Sequence, residues 1–144
     1  MSGAHARFNG YSINRDERLR SKEDIKKIFE TGYRTRSGKA LARYTIGKER
    51  DVPLRFGVAA GKGVGGAVIR NRCKRILREA VRREKIECNI RLAALHRSAD
   101  IMFIWADEIK SGDRKTNFQK RLLPEILPSV SALLNVVTEK AANT

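Results

Sequence analysis

Residues 61–83 read GKGVGGAVIRNRCKRILREAVRR. Four glycines in six positions (Gly61, Gly63, Gly65, Gly66) give way to a helical pattern. At about 100° per residue, Ile69, Cys73, Ile76, Leu77 and Ala80 share one side. Arg70, Lys74, Arg75, Arg78 and Arg82 fall on an arc of about 140° facing elsewhere. With Arg72 and Arg83 that makes seven cations against one anion, Glu79. The apolar side can dock on a core. The basic side repels itself, because Arg70, Lys74, Arg78 and Arg82 are like charges at i,i+4. A mixed-sign charge run is ordinarily a solvated face. This one is nearly single-signed and mostly arginine, whose planar fork suits phosphate. The pattern points to a nucleic-acid-binding face.

The chain has 144 residues and a formal net charge of +15, with a pI of about 10.5. That length fits one domain with a modest core. The charge implies an anionic partner, nucleic acid before an acidic membrane surface. The longest strongly apolar run, 101–106, falls far short of the roughly 20 residues a bilayer needs. No membrane partner and no transmembrane segment are therefore expected. The N-terminal MSGAHARFNGYS lacks an apolar signal core, and a cytoplasmic location is the default expectation. Cys73 and Cys88 form no CxxC pair, and Cys73 sits on the apolar side of the helix, as packing. His5 and His96 have no Cys or His neighbours at ligand spacing, so no protein-built metal site is expected.

Residues 1–14 lack periodicity and read as a flexible arm, followed by one domain over 15–137 and a tail over 138–144. Ser21 and Asp24 have capping-box spacing. Ile25, Ile28 and Phe29 then mark one face of a short helix that Gly32 ends. Residues 39–47 alternate as a strand, with Ala40, Ala42, Tyr44 and Ile46 on one face and Leu41, Arg43 and Thr45 on the other. Residues 54–60 form a second strand, and the short polar connection between the two predicts an antiparallel pair. Gly57 marks a close approach of another backbone. After Arg83 a weaker helical segment runs through Ile86, Ile90, Leu92 and Leu95. Residues 100–106 are an apolar strand, central in a sheet. Residues 110–116 read as a loop. A last helix starts near residue 117 with Phe118, Leu122 and Ile126 inward, and Pro124 and Pro128 are expected to kink or split it. The order is α-β-β-α-β-α, with room for one further short strand: an α+β fold, one sheet with helices packed on it.

Gly61-Lys62-Gly63-Val64-Gly65-Gly66 matches G-x-G-x-x-G literally. A dinucleotide site also needs an acidic residue on a second parallel strand about 20 positions on, and none follows. The P-loop form fails because Ala67 follows Gly66. The glycines still allow backbone to approach a phosphate closely, beside a helix N-terminus with free N–H groups. No catalytic side-chain set is present, so the chain by itself does not read as an enzyme. Phe29 and Tyr44 are either core or platforms for stacking bases of a single strand.

Gly65-Gly66-Ala67-Val68-Ile69-Arg70-Asn71-Arg72-Cys73-Lys74-Arg75-Ile76-Leu77-Arg78-Glu79-Ala80 closely resembles the signature of the bacterial ribonuclease P protein subunit. Supporting matches are Arg18-Leu19 before the short helix, Phe29, Tyr44, residues 54–58 and the strand near Ile101. The resemblance covers about residues 14–134. It implies a left-handed crossover of the basic helix between parallel strands, like the second domain of a small-subunit ribosomal protein, where general rules favour the right hand. It implies a protein subunit of ribonuclease P, whose chemistry is carried by a catalytic RNA with magnesium bound mainly by that RNA. Arg70, Asn71, Arg72, Lys74, Arg75 and Arg78 would bind the catalytic RNA. Phe29, Tyr44, Arg70, Asn71 and Arg78 would meet the single-stranded 5′ leader of precursor tRNA, in a cleft between helix and sheet. The chain departs from the family pattern at Gly61-Lys62-Gly63 (usually Ser-Lys-Lys), at Gly66 (usually Asn), at Ile25 (often aromatic) and at Trp105-Ala106-Asp107, where a basic residue is common.

Two rival classes share parts of this pattern. A basic module of another ribonucleoprotein, or a DNA-binding protein, wants the same charge. A nucleotide-dependent enzyme rests on the glycine spacing alone. The Arg-Asn-Arg-x-Lys-Arg helix after a glycine turn favours the ribonuclease P reading.

Overall fold

The computed structural model describes residues 12–109 and 118–144. Most of the expected N-terminal arm and the expected 110–116 loop lie outside those residues. A short 3-10 turn, Arg15–Glu17, leads to helix α1 (Lys22–Thr31). Strands β1 (Tyr33–Ser37), β2 (Ala40–Lys48) and β3 (Leu54–Ala60) follow. Helix α2 (Ala67–Ala94), strand β4 (Arg97–Trp105) and helix α3 (Phe118–Ala142) complete the order.

The four strands lie in the order β1-β2-β4-β3. β1 and β2 form a hairpin turned by Gly38, whose φ of +56° favours glycine. β2 runs antiparallel to β4, and β3 parallel to it, so α2 is the crossover from β3 to β4. The expected β2–β3 pair is therefore not formed. β4 lies between them because Ile101, Met102 and Phe103 are all buried, and only a central strand covers both of its faces.

Register assigns the faces. Tyr44, Ile101 and Phe56 align across three strands, as do Arg43, Met102 and Gly57 one residue on. The first set joins the main core with Cys73, Ile76, Leu77 and Ala80 of α2 and Ile126, Val130 and Leu133 of α3. The second face carries a small core of Leu19, Ile28 and Met102 under α1.

Ser21 caps α1, its hydroxyl accepting the Asp24 amide at 3.3 Å. Gly32 ends the helix, donating to the Ile28 carbonyl at 2.9 Å. A Cβ at Gly32 would stand 2.3 Å from that carbonyl oxygen and 2.9 Å from that of Tyr44. Both are backbone atoms of fixed elements. Gly32→Ala should thus destabilise the fold by about 1–3 kcal/mol, read by denaturant unfolding, as overpacking does. A change within 0.5 kcal/mol, the ordinary range for a surface site, would refute the close approach.

Three expectations about helices meet different outcomes. The weak segment after Arg83 is the continuation of α2, a single helix of 28 residues. Pro124 and Pro128 do not split α3. Both face solvent, so the carbonyls they deprive of helical donors, those of Lys120 and Pro124, are open to water. The tail also starts later than expected, since α3 runs to Ala142 and buries Thr138 and Ala141. By length and composition α3 would suffice to cross a membrane. Its apolar side is instead taken up by the main core.

Candidate nucleic-acid interface

The glycine stretch becomes a 3-10 turn, Lys62–Val64, anchored by buried Val64. The Val64 carbonyl accepts the Ile109 amide at 3.0 Å, tying the turn to the chain after β4. Gly65 has φ 157° and ψ −169°, a region nearly restricted to glycine. Gly66 caps α2 without a side chain, and the first helical bond is Arg70 N–H to its carbonyl. The amides of Ala67, Val68 and Ile69 precede that bond and have no acceptor within the helix. Among the described residues, a Cβ at Gly61, Gly63 or Gly66 would meet nothing within 4 Å. No described residue thus covers the N-terminus of α2, which has an electropositive dipole end and amides ready for an anion.

The cations continue this surface. Asn71, Arg72, Arg75 and Arg78 are exposed, and Arg70 and Lys74 partly so. Among the described residues, none of Arg70, Arg72, Lys74, Arg75 and Arg78 forms an ion pair. The Arg70 Nε is buried and lacks a partner there. The last two cations differ. Arg82 grips Glu79 with two hydrogen bonds, 2.9 and 2.6 Å, and Arg83 adds a third at 3.0 Å. The Arg82 hydrogen bond leads in holding the Glu79 carboxyl down, to about 2. So Glu79 is ionised at neutral pH, and Arg82, half-buried and placed by the sequence on the basic arc, is already paired.

Arg78 also stands over a groove of about 420 Å³ where α2, α1 and the β3 edge meet. Its floor is apolar: Leu19, Ile25, Met102 and the bare backbone of Gly57. Gly57 matters here because a Cβ would come within 2.6 Å of the Met102 Sδ. The expected close approach at Gly57 is thus with a side chain rather than a backbone. Arg18, Arg20 and Arg78 supply the rim. An apolar floor between guanidinium groups fits bases below and phosphates above.

Residues 14–19 form a strap that holds the rim. The Leu19 amide donates to the Phe56 carbonyl at 2.9 Å, on the edge of β3. Glu17 and Lys85 form an ion pair at 2.6 Å with each side chain 1 % exposed. The second Glu17 oxygen accepts the Asn14 amide at 2.7 Å. Sequence reading missed this pair. The available signal was Lys85 at i+4 from Val81 and i−3 from Cys88, a lysine on the core side of the helix.

The two aromatics are not brought together. Phe29 lies on α1, 42 % exposed, with the Arg43 guanidinium 5.7 Å from its ring centre. Tyr44 is 3 % exposed on the opposite face of the sheet, its ring 5.4 Å from that of Tyr33. Burial, then the neighbouring Tyr33, raises its phenol above the ordinary range. Strand alternation is the cause: Tyr44 shares the face of Ala40 and Ala42, which the main core fills. Tyr44 thus takes the core alternative. Of the expected leader-binding residues, Arg78 lines the groove and Phe29 stands outside its lining.

Among the described residues no group of three or more His, Cys, Asp or Glu is placed to hold a metal ion. The Asp100 carboxylate, 12% exposed, is engaged by Arg50 at 2.5 Å and Arg55 at 2.7 Å. Burial alone would raise it, but those two arginines outweigh burial and hold it below the ordinary range. Asp100, held by two arginines, does not fit a magnesium site.

Comparison with known proteins gives a consistent set. The family model described as Ribonuclease P matches residues 13–125. A ribonuclease P protein component of Bacillus velezensis is 36% identical over 73 residues, 51% of this chain and 62% of the relative. One from Symbiobacterium thermophilum is 40% identical over 65 residues, 45% of this chain and 56% of the relative. The matched stretch thus spans less than two thirds of these relatives' length. The RNase P protein from Staphylococcus aureus superposes with a TM-score of 0.57 at 19% identity, covering 88% of this chain and 93% of that one. The RNase P protein from Thermotoga maritima gives 0.55 at 22% identity, covering 82% and 94%. These two likenesses bear on the fold, a mixed four-stranded sheet with helices packed on it.

Proposed function

Because the chain belongs to the ribonuclease P protein family, we propose that it is the protein component of a ribonucleoprotein that removes the 5′ leader of precursor tRNA. The observation that carries this reading is the row of five cations, Arg70 to Arg78, without carboxylate partners among the described residues, beside an open helix N-terminus. Such a row is destabilising alone and is relieved by phosphate. In this reading Arg70, Asn71, Arg72, Lys74 and Arg75 hold the catalytic RNA. The groove under Arg78 takes the single-stranded leader, its bases over Ile25 and Met102 and its phosphates against Arg18, Arg20 and Arg78. Phe29 offers an exposed ring beside that path. Magnesium belongs to the RNA, and phosphodiester hydrolysis is the RNA's work. The protein's part is to bind, orient and screen charge. Such work belongs in the cytoplasm.

The test is reconstitution. RNA-free protein with magnesium should cleave nothing specifically, and addition of the family's catalytic RNA should give cleavage at the 5′ end of the mature tRNA sequence. Specific cleavage by the RNA-free protein would overturn the division of labour. Binding should also weaken with salt, with log K falling against log salt at a slope of about −4 to −5 for six neutralised phosphates. A slope near zero would remove the phosphate reading.

A further inference from the structure

We propose that Glu79 ends the phosphate track on α2, and so acts as a specificity-setting residue for RNA. The proposal rests on the RNA-binding reading above. Glu79 is the one acidic residue between Ala67 and Arg83. It has two arginines at i,i+4 distance, Arg75 before it and Arg83 after it, and Arg82 at i+3. Its carboxylate turns to the C-terminal pair: Arg82 at 2.6 Å and Arg83 at 3.0 Å. Helix geometry favours that choice, because an acid N-terminal to its base at i,i+4 is better placed than the reverse. Arg75, in the Arg-Asn-Arg-x-Lys-Arg block, is left without a carboxylate among the described residues.

The helix therefore carries a sharp boundary. Among the described residues, five cations up to Arg78 are free of carboxylates, and the two after Glu79 share one. The boundary has a chemical meaning. Contacts to phosphate carry no sequence information, so an additional free cation raises the grip on any flexible strand that can reach it, and adds little for a structured RNA already seated on the other cations. A shape-matched RNA gains most when the free cations are only those it can meet. By occupying Arg82 and Arg83, Glu79 limits the sequence-independent part of binding. The Glu79 side chain is 23% exposed and Arg83 46%, so the released guanidiniums would be within reach of a strand lying along the helix.

The experiment compares the wild-type chain, Glu79→Gln, and Glu79→Gln combined with Arg82→Gln and Arg83→Gln. Each is titrated at several salt concentrations with an unstructured oligouridylate and with the family's catalytic RNA, and each is melted. Glu79→Gln should steepen the oligouridylate slope by one to two and raise that affinity roughly tenfold near 0.1 M salt. The catalytic RNA should gain less, so the ratio of the two affinities falls. The triple variant should return both slopes to the wild-type values. An unchanged slope in a folded Glu79→Gln protein overturns the proposal, and so does an equal gain for both RNAs. A slope that fails to return in the triple variant also overturns it, because Arg82 and Arg83 are then not the source. A wild-type slope near zero instead sinks the RNA-binding reading itself, which keeps the two failures apart.

Discussion

Lys85→Ala should lower the free energy of unfolding by about 3–5 kcal/mol, the cost of leaving one member of a buried ion pair alone. Glu17 would keep one hydrogen bond, from the Asn14 amide, and lose its counter-ion. The mutant should also hold RNA less well in the groove, because the strap that carries Arg18 and Arg20 is fastened through Glu17. Equilibrium denaturation checks the first statement. Combining Lys85→Met with Glu17→Leu should recover part of the loss, since apolar replacement of a whole buried pair is often neutral. Stability of Lys85→Ala within 1 kcal/mol of wild type would show the pair to be solvated, against its 1 % exposure.

Arg72→Ala with Arg75→Ala should weaken assembly with the catalytic RNA about a hundredfold, two charged hydrogen bonds at roughly 1.5 kcal/mol each. The salt slope should become shallower by about two. Melting temperature should hold or rise slightly, because both side chains are exposed without ion-pair partners among the described residues and their removal relieves repulsion. A folded double variant with unchanged affinity and slope would detach these arginines from the RNA.

Sequence made the basic helix legible because its two signals, apolar period and single-signed charge, agree over four turns. It gave the second half of α2 only as a weaker helical signal because Lys85 and Asn89 sit at core-facing positions and break the apolar period. Lys85 is buried for the sake of Glu17, 68 residues away, and local pattern cannot report that. β1 escaped notice because its buried face is thin: Tyr33, Arg34 and Arg36 are exposed, and pairing with β2 rather than composition makes it a strand. The expected β2–β3 pairing was reasonable locally and lost to a non-local rule, since a strand as apolar as β4 takes the centre. The candidate site divides in the same way. The cations were readable because charge and helix face coincide in sequence. Tyr44 was not, because alternation says which residues share a face and not which face an RNA will see. The groove was out of reach for another reason: it is assembled from α1, β3, β4, α2 and the strap, and only Arg78 carries a local signal.

The strap over β3 has a consequence for the behaviour of the free chain. A sheet presents unpaired backbone groups at its two outer strands, and a second molecule can extend it there. Residues 18 and 19 occupy part of the β3 side through the parallel bridge Arg18↔Phe56. The other outer strand, β1, bears Arg34 and Arg36, charges that a docking strand would have to bury or repel. Both margins of the sheet are thus guarded by the same cationic residue type that the chain uses on α2. On the ribonucleoprotein reading proposed above, a protein that waits for its RNA in folded form gains from this, because self-association through sheet edges is discouraged during the interval.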